Sequence, residues 1–401
     1  MHSAPTEAEP VVLFGLSRQA LGVFAFFFLE GFVIGNWIPR IPDVKALYGL
    51  SASGLGFALF ALALGTLIAF LIAPRLLAIM GLARSCFIGL AAWTLCFFTL
   101  PFLPSVAVLM VIMLLGGVAL GILEVAMNSA ADREERRSGR RIMSRAHGFW
   151  SVGSLVGALA GGGTAALGLG LGQHFSIMMP VVILFGFVAL WAVKDRIAQH
   201  VEPQPTEKGA VFAVPDRTIV LLCLFPVGVM MIEGAYIDWS ALFIRDVLDG
   251  STTQAGLIYA TFSLSMAAMR LSGDWILERY DATWVARISC VFAMIGITLF
   301  ALAPALEAAF AAAFFSGIGV AIIYPMAMSA AARRPGKPED HVAAVSLFAF
   351  TAFMIAPPTL GFVIDTIGMR FALLCLVPLA LMSLLLTREL AKGVAPSSPL
   401  P

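Results

Sequence analysis

Four carboxylates stand inside long apolar runs of this chain: Glu30, Glu124, Glu233 and Asp238. A charged group at the centre of a bilayer costs about 2.5 to 3.5 kcal/mol on insertion scales, so such residues face a cavity or a partner and mark a pathway. The chemistry open to them is proton carriage. A carboxylic acid taken out of water holds its proton more tightly, and a nearby cation or polar ligand releases it. If the acid must be protonated, or neutralised by a solute, before an empty cavity closes over it, the two fluxes are coupled. At about 1.5 Å of helical rise per residue, Glu30 lies about 18 Å from Arg18 and Glu233 about 21 Å from Ile219, both near the middle of a bilayer. Glu124 stands nine residues before Arg133, in the inner half of its helix, with Asn128 one turn further on the same face. Two other readings stand beside these. Glu30, Glu124 and Glu233 would also serve static interhelical networks, and Asp238 with Trp239 would suit an interfacial boundary.

Helices must hold these acids in lipid. The 401 residues are 60% hydrophobic and 12% charged, with a mean hydropathy of +0.95, where a soluble domain is about a quarter charged. Runs long enough to cross about 30 Å of hydrocarbon lie at Leu16–Ile38, Gly54–Ala73, Ala83–Pro101, Ser105–Ala126, Met143–Leu167 and Phe175–Val193. They continue at Ile219–Ile244, Ala255–Trp275, Trp284–Leu302, Ala309–Met328, Val342–Ile364 and Phe371–Leu386. Backbone in lipid must satisfy its own hydrogen bonds, so these twelve are helices. Basic residues such as Arg75, Arg84, Arg133, Arg136, Arg137, Arg287 and Arg333 fall in loops on one side, while the opposite loops hold Arg40, Lys45, Arg245 and Arg370. The first side is cytoplasmic by the positive-inside rule. The expectation is an all-α, multi-pass protein of the bacterial inner membrane with both termini cytoplasmic. The net charge of +1 is explained by topology and gives no hint of nucleic acid. Cys86, Cys96, Cys223, Cys290 and Cys375 are scattered singly, which indicates neither a metal site nor a disulfide framework. No nucleotide-binding glycine loop is present, so neither an enzyme nor a cofactor is expected. The expected partners are lipid, protons and a small-molecule substrate, and the protein is expected to be a monomer.

The chain also repeats. A shift of 202 residues places Trp37 on Trp239, Gly54 on Gly256, Leu55 on Leu257 and Gly117 on Gly319, with Glu30-Gly31 near Glu233-Gly234. The reading is a cytoplasmic tail over 1–14, a six-helix bundle over 15–193, a cytoplasmic linker over 194–217, a second six-helix bundle over 218–390 and a tail over 391–401. Six is even, so both copies enter from one side, and parallel halves enclosing a midplane site are the plan of an alternating-access transporter. The copies are not equivalent. Asn36 stands where the second half has Asp238, and Glu124 has no acidic counterpart around Pro325-Met326.

Glu124-Val125-Ala126-Met127-Asn128, the run His147–Leu155, Glu233-Gly234 with Asp238-Trp239, and Arg270 through Gly273 to Arg279-Tyr280 resemble the major facilitator superfamily. More narrowly they are similar to its YbjJ-type branch, related to fucose permease-like sugar and proton symporters. The resemblance implies a proton-linked role for Glu124 and a substrate-orienting role for Asn128. The first-helix carboxylate of that pattern is replaced by Asn36 or Trp37, with Glu30 six or seven residues earlier. Arg270, Asp274 and Arg279 resemble the superfamily's cytoplasmic latch, with Asp274 at i,i+4 from Arg270. In the first half the matching loop keeps Pro74-Arg75, Gly81 and Arg84 but no acid. His147, beside Arg145, is expected to anchor the fifth helix at that gate. Gly153, Gly157, Gly161 and Gly162 resemble the antiporter signature of drug exporters, although Ala158 stands at its proline, and close helix packing is the preferred reading. Pro357-Pro358 imply a kink. Buried acids outnumber Arg270, so an anionic substrate meets the wrong field, whereas a neutral hydroxyl-rich molecule or a cation fits. Trp150, Tyr236, Trp239, Tyr259 and Tyr324 suit a sugar-like ring and a lipophilic drug equally. With Asn36, Trp37, Asn128 and Asp238 they are the candidate substrate contacts. Two transport readings therefore stay open, symport of a small polar metabolite and export of a lipophilic compound.

Overall fold

A computed structural model describes residues 12–13, 16–140, 142–197, 217–335 and 337–391. Most of the expected tails and linker lie outside the described residues. A short antiparallel pair, β1 (Val12–Leu13) and β2 (Leu16–Ser17), leads into helix α1 (Arg18–Trp37). The first apolar run therefore starts as strand, and Ser17 caps the helix by accepting from the Ala20 amide at 3.1 Å. Next come α2 (Ile41–Leu47), α3 (Ala52–Met80), α4 (Leu82–Thr99), α5 (Val106–Ser138), α6 (Met143–Ala166) and α7 (Leu171–Ile197). The second half holds α8 (Arg217–Leu224), α9 (Val227–Leu242), α10 (Thr252–Arg279), α11 (Ala282–Leu302) and α12 (Leu306–Val320). It ends with α13 (Ile323–Ala332), α14 (Pro338–Ile367), α15 (Met369–Leu374) and α16 (Leu376–Leu386). Serine caps recur where the halves meet: Ser51 caps α3, and Ser251 forms a capping box with Gln254 on α10.

Within the first half α1 packs on α6 and α7, α3 on α5, and α4 on α5 and α7; in the second, α9 packs on α14 and α16, and α11 on α12 and α16. Two seams join the halves, α3 against α14 and α6 against α10. The repeat makes α3 the counterpart of α10 and α6 that of α14, so each seam is the image of the other. Both need glycine. A Cβ on Gly56 would lie 2.5 Å from the Pro357 carbonyl, and one on Gly256 would lie 2.7 Å from that of Ala158.

Among the described residues, ten segments are long and apolar enough to cross a membrane. The helices α6, of 24 residues, and α10, of 28, are not among the ten. Both are seam helices, and the small and hydroxyl-bearing residues that let them approach a neighbour lower their hydropathy. Gly153 and Gly157 illustrate this, because an added Cβ would fall 2.0 Å from the Phe28 carbonyl and 2.2 Å from that of Phe32 on α1.

Helix α5 corrects the expectation that Arg133, Arg136 and Arg137 lie in a loop. It continues from the apolar run to Ser138, because ion pairs at helical spacing, Arg136 with Asp132 and Arg137 with Glu134 at 2.7 Å, support the polar turns. Three spans are broken among the described residues. Residues 225–226 separate α8 from α9, where Pro226 cannot continue the helix, residues 321–322 separate α12 from α13, and Cys375 separates α15 from α16.

Candidate functional site

Between the halves lies a cavity of about 300 Å³. Residues Leu62, Thr66 and Phe70 of α3 form one wall and Phe350, Phe353 and Met354 of α14 the facing one. Helix α5 supplies Leu120 and Glu124, α6 supplies Trp150, and α9 supplies Glu233, Ile237 and Asp238. The helical period explains the choice, since Leu120 and Glu124 are one turn apart, as are Glu233 and Ile237. Thr66 offers little to a solute because its hydroxyl points at the carbonyls of Leu62 and Gly117, at 3.2 and 3.1 Å.

Three of the four acids of the apolar runs, Glu124, Glu233 and Asp238, thus share one cavity, and each has a different environment. Glu124 takes the Asn128 amide on Oε2 at 2.9 Å, and the same amide is 2.9 Å from the Glu124 carbonyl. Behind it, Glu30 is 1% exposed, and its carboxyl meets that of Glu124 and the Trp150 side chain. Glu30 Oε2 has no hydrogen-bond partner among the described residues. A carboxylate has no donor, so a hydrogen bond between two carboxyls needs a proton on one of them. Glu233 is paired with Arg270, whose Nη2 is 3.1 Å from Oε1. Asp238 carries neither an ion pair nor a hydrogen bond among the described residues.

Arg270 joins three elements. Besides Glu233 it donates from Nη1 to Ser151 Oγ across the seam at 3.2 Å, and from Nε to the Ala321 carbonyl at 3.2 Å, with Trp150 6.0 Å from its guanidinium carbon. The break between α12 and α13 makes the last contact available. Pro325, four residues after Ala321, has no N–H, so the Ala321 carbonyl lacks its helical donor and the guanidinium takes that place. The described partners of Arg270 therefore differ from the i,i+4 acid expected for a latch, and the Asp274 side chain lies outside the described residues. Arg279 has local partners instead, lying over Trp275 at 4.3 Å and 4.0 Å from Glu278. His147 meets Phe27 edge-on at 5.1 Å.

Several expected substrate contacts lie off the cavity wall. Tyr236 is stacked on Phe262 at 4.5 Å and its hydroxyl accepts from Ser316 at 3.0 Å, while Trp239 is 0% exposed inside the second half. Tyr259 accepts from Ser154 across the α6–α10 seam at 3.1 Å, and Tyr324 donates to Ser346 at 3.3 Å. Trp37 packs on Phe97 at 4.9 Å. Asn36 is committed to the Phe32 carbonyl at 2.8 Å and to His174 Nε2 at 2.8 Å. Tyr236, Tyr259, Tyr324 and Asn36 are thus bonded within the protein, while the buried Trp239 Nε1 has no hydrogen-bond partner among the described residues; of the expected contacts, Trp150, Asp238 and Glu124 line the lumen.

Sequence reasoning passed over the charges at the end where α3 and α10 begin. Buried Arg40 donates to His174 Nδ1 at 3.1 Å, to Thr164 at 3.2 Å and to the Leu169 carbonyl at 2.9 Å, and it pairs with Asp43 at 3.0 Å. Because Nδ1 accepts, His174 carries its proton on Nε2 and donates to Asn36. Asp43 also reaches Arg245 of the other half at 3.5 Å, and Lys45 reaches Asp246 at 3.2 Å. Asp365 of α14 caps α3 from across the seam, accepting from the Ala52 and Ser53 amides at 3.0 and 2.8 Å and from the Ser53 hydroxyl at 2.5 Å. The available signal for part of this was the repeat, since Asp43 and Arg245 are 202 residues apart.

A sequence profile of the Major Facilitator Superfamily matches residues 20–355 and, in a second match, residues 241–399. An uncharacterized transporter of Sinorhizobium fredii, y4wD, is 31% identical over 87% of this chain and 92% of its own length. The membrane protein MosC of Rhizobium meliloti is 25% identical over 94% of this chain and 93% of its own. Among solved structures, a D-xylose-proton symporter superposes with a TM-score of 0.73 at 13% identity, over 94% of this chain and 98% of that one. The fucose:proton symporter FucP in its outward conformation superposes at 0.62 with 17% identity, covering 93% and 98%. The chain is thus a multi-pass membrane transporter, not an enzyme, and it belongs to the Major Facilitator Superfamily.

Proposed function

We propose that the chain carries a small solute through the cavity between its halves by alternating access, with the Glu30–Glu124 pair as its proton site. The observation that carries this is the interaction of the buried Glu30 carboxyl with that of Glu124, which lines the cavity. One shared proton fits such a pair, and its loss leaves two like charges in an apolar surround, a state that favours rearrangement or rebinding. Glu233 is the third proton-linked acid, with its charge held by Arg270. The architecture in this reading is twelve spans in two six-helix bundles, over 15–193 and 218–390, with cytoplasmic termini, in the bacterial inner membrane and acting as a monomer. The branch is the YbjJ type, related to fucose permease-like carriers.

Proton-coupled symport of a small polar metabolite is the first reading, in keeping with sugar–proton symporters of the same fold. The apolar side chains that dominate the wall favour a second, proton-driven export of a lipophilic compound. Proteoliposomes with an imposed pH gradient separate them: solute entering with protons identifies symport, and solute leaving against them identifies exchange. Replacing Glu124 with Gln should abolish proton-driven accumulation while leaving downhill exchange of the solute measurable. Full accumulation by that variant would exclude Glu124 as the proton site.

A further inference from the structure

We infer that the cavity takes an organic cation, a protonated amine or quaternary ammonium on a compact and largely apolar body, with its charged head on Asp238. This deepens the transport reading above and rests on it. The first ground is charge balance. Glu233 is neutralised by Arg270, and the Glu30–Glu124 pair holding one proton keeps one negative charge. Asp238, when ionised, has no partner for its charge, and no lysine, arginine or histidine is among the residues lining the cavity. A buried carboxylate without a counter-charge is costly. The charge the lumen lacks is positive.

The second ground is what surrounds the acids. Leu59, Leu62, Leu67, Phe70, Phe350 and Met354 offer no hydrogen bonds. The Thr66 hydroxyl donates to backbone carbonyls, which leaves Thr351 as the other hydroxyl on the wall. A polyol placed here would leave most of its hydroxyls unpaired, each at the cost of a buried polar group without a partner. An ammonium on a hydrocarbon or aromatic ring satisfies both surfaces at once: its head neutralises Asp238 and its body fills the apolar wall. The cavity of about 300 Å³ limits the solute to one or two rings.

A matched set of probes tests this on the full-length protein in nanodiscs: 1-adamantylammonium, 1-adamantanol and adamantane-1-carboxylate, titrated calorimetrically. The ammonium should bind about 30-fold or more tightly than the alcohol, the factor expected when one partner of a buried charge pair is absent. The carboxylate should not bind measurably. Asp238→Asn should bring the ammonium within about 3-fold of the alcohol, and Asp238→Glu should keep the preference, which separates a lost charge from a misfolded protein. Equal binding of ammonium and alcohol, no binding of the ammonium, or an undiminished preference in Asp238→Asn would each overturn the assignment. Proton flux into proteoliposomes distinguishes the two levels. Flux driven by a neutral polyol and not by any ammonium solute sinks the cation assignment and leaves the transport reading standing, whereas a proton gradient that moves no solute of any class sinks the transport reading itself.

Discussion

Arg270 is the most heavily committed cation near the cavity, and removing it gives a test with a worked magnitude. Arg270→Met deletes the 3.1 Å pair with Glu233, the contact with Ser151 and the only donor to the Ala321 carbonyl among the described residues. Breaking a buried pair from one side costs about 3 to 5 kcal/mol because the remaining charge is stranded. The side chains here are 18% and 11% exposed, so partial solvation through the cavity lowers the figure to about 2 to 3 kcal/mol. The Ala321 carbonyl, left without a donor, adds about 1 kcal/mol. The variant should therefore lose about 3 to 4 kcal/mol of unfolding free energy, measured by SDS titration in mixed micelles. Glu233→Gln removes the stranded charge, so the double variant should be more stable than the sum of the singles predicts by about 1.5 to 2 kcal/mol. Pro325→Ala restores an N–H four residues after Ala321 and should reduce the cost of Arg270→Met by about 1 kcal/mol. Additivity of the Arg270 and Glu233 changes within about 0.5 kcal/mol would refute the pairing as an energetic unit.

Two further outcomes follow from the helix contacts. Asp365→Ala removes three hydrogen bonds to the start of α3, worth about 1 to 2 kcal/mol as a helix cap. Because they cross between halves, the loss should open that end and raise maleimide labelling of a cysteine at Leu50, in a cysteine-free background, by about 10-fold; an unchanged rate rejects Asp365 as a tie between the halves. Gly153→Leu has no room, since even a Cβ would lie 2.0 Å from the Phe28 carbonyl, so α1 and α6 must separate at a cost of about 3 kcal/mol or more. Wild-type stability in that variant would show that the close approach of α1 and α6 contributes little.

The helices and the acids were readable from the chain, and the reasons are physical. Apolar runs of about 20 residues have few alternatives, and an acid such as Glu124 inside one is too costly to be incidental. Which face of each helix looks at the lumen was not readable. In lipid the core and the outer surface are equally apolar, so the amphipathic stripe that orients a helix in a soluble protein is missing. Tyr236, Trp239 and Tyr259 show the consequence: they read as lumenal aromatics, yet Tyr236 and Trp239 are buried inside the second half and Tyr259 in a seam. Interactions that need two distant segments were hidden as well. Nothing in the types of Arg270, Glu233 and Pro325 reveals that a proline vacates a carbonyl for a guanidinium on another helix. Arg40 read as a loop residue because its neighbours, His174 and Thr164, come more than 120 positions later.

The repeat itself explains why its symmetry had to break. In a two-fold arrangement, equivalent residues meet only near the axis, and Asp43 and Arg245, separated by the repeat length of 202, do meet. Identical charges at such a position would face each other and repel, so two copies can keep a charge there only by diverging to opposite signs. The same end is held by Lys45 with Asp246, by the Asp365 cap and by Thr253 on the Gly162 carbonyl at 3.0 Å. Further along the seams apolar contacts, Phe70 edge-on to Phe350 at 5.2 Å and Leu271 beside Gly148, are joined by two hydrogen bonds, Ser154 to Tyr259 and Arg270 to Ser151. Exposed ion pairs contribute about 0 to 1 kcal/mol each and a cap about 1, so the polar ties sum to only a few kcal/mol. That size matters, because inverting a 1:99 equilibrium takes about 5.5 kcal/mol of differential binding. Many weak ties can be broken by one ligand and remade after it leaves, whereas a single strong buried bridge at that end would trap the closed form.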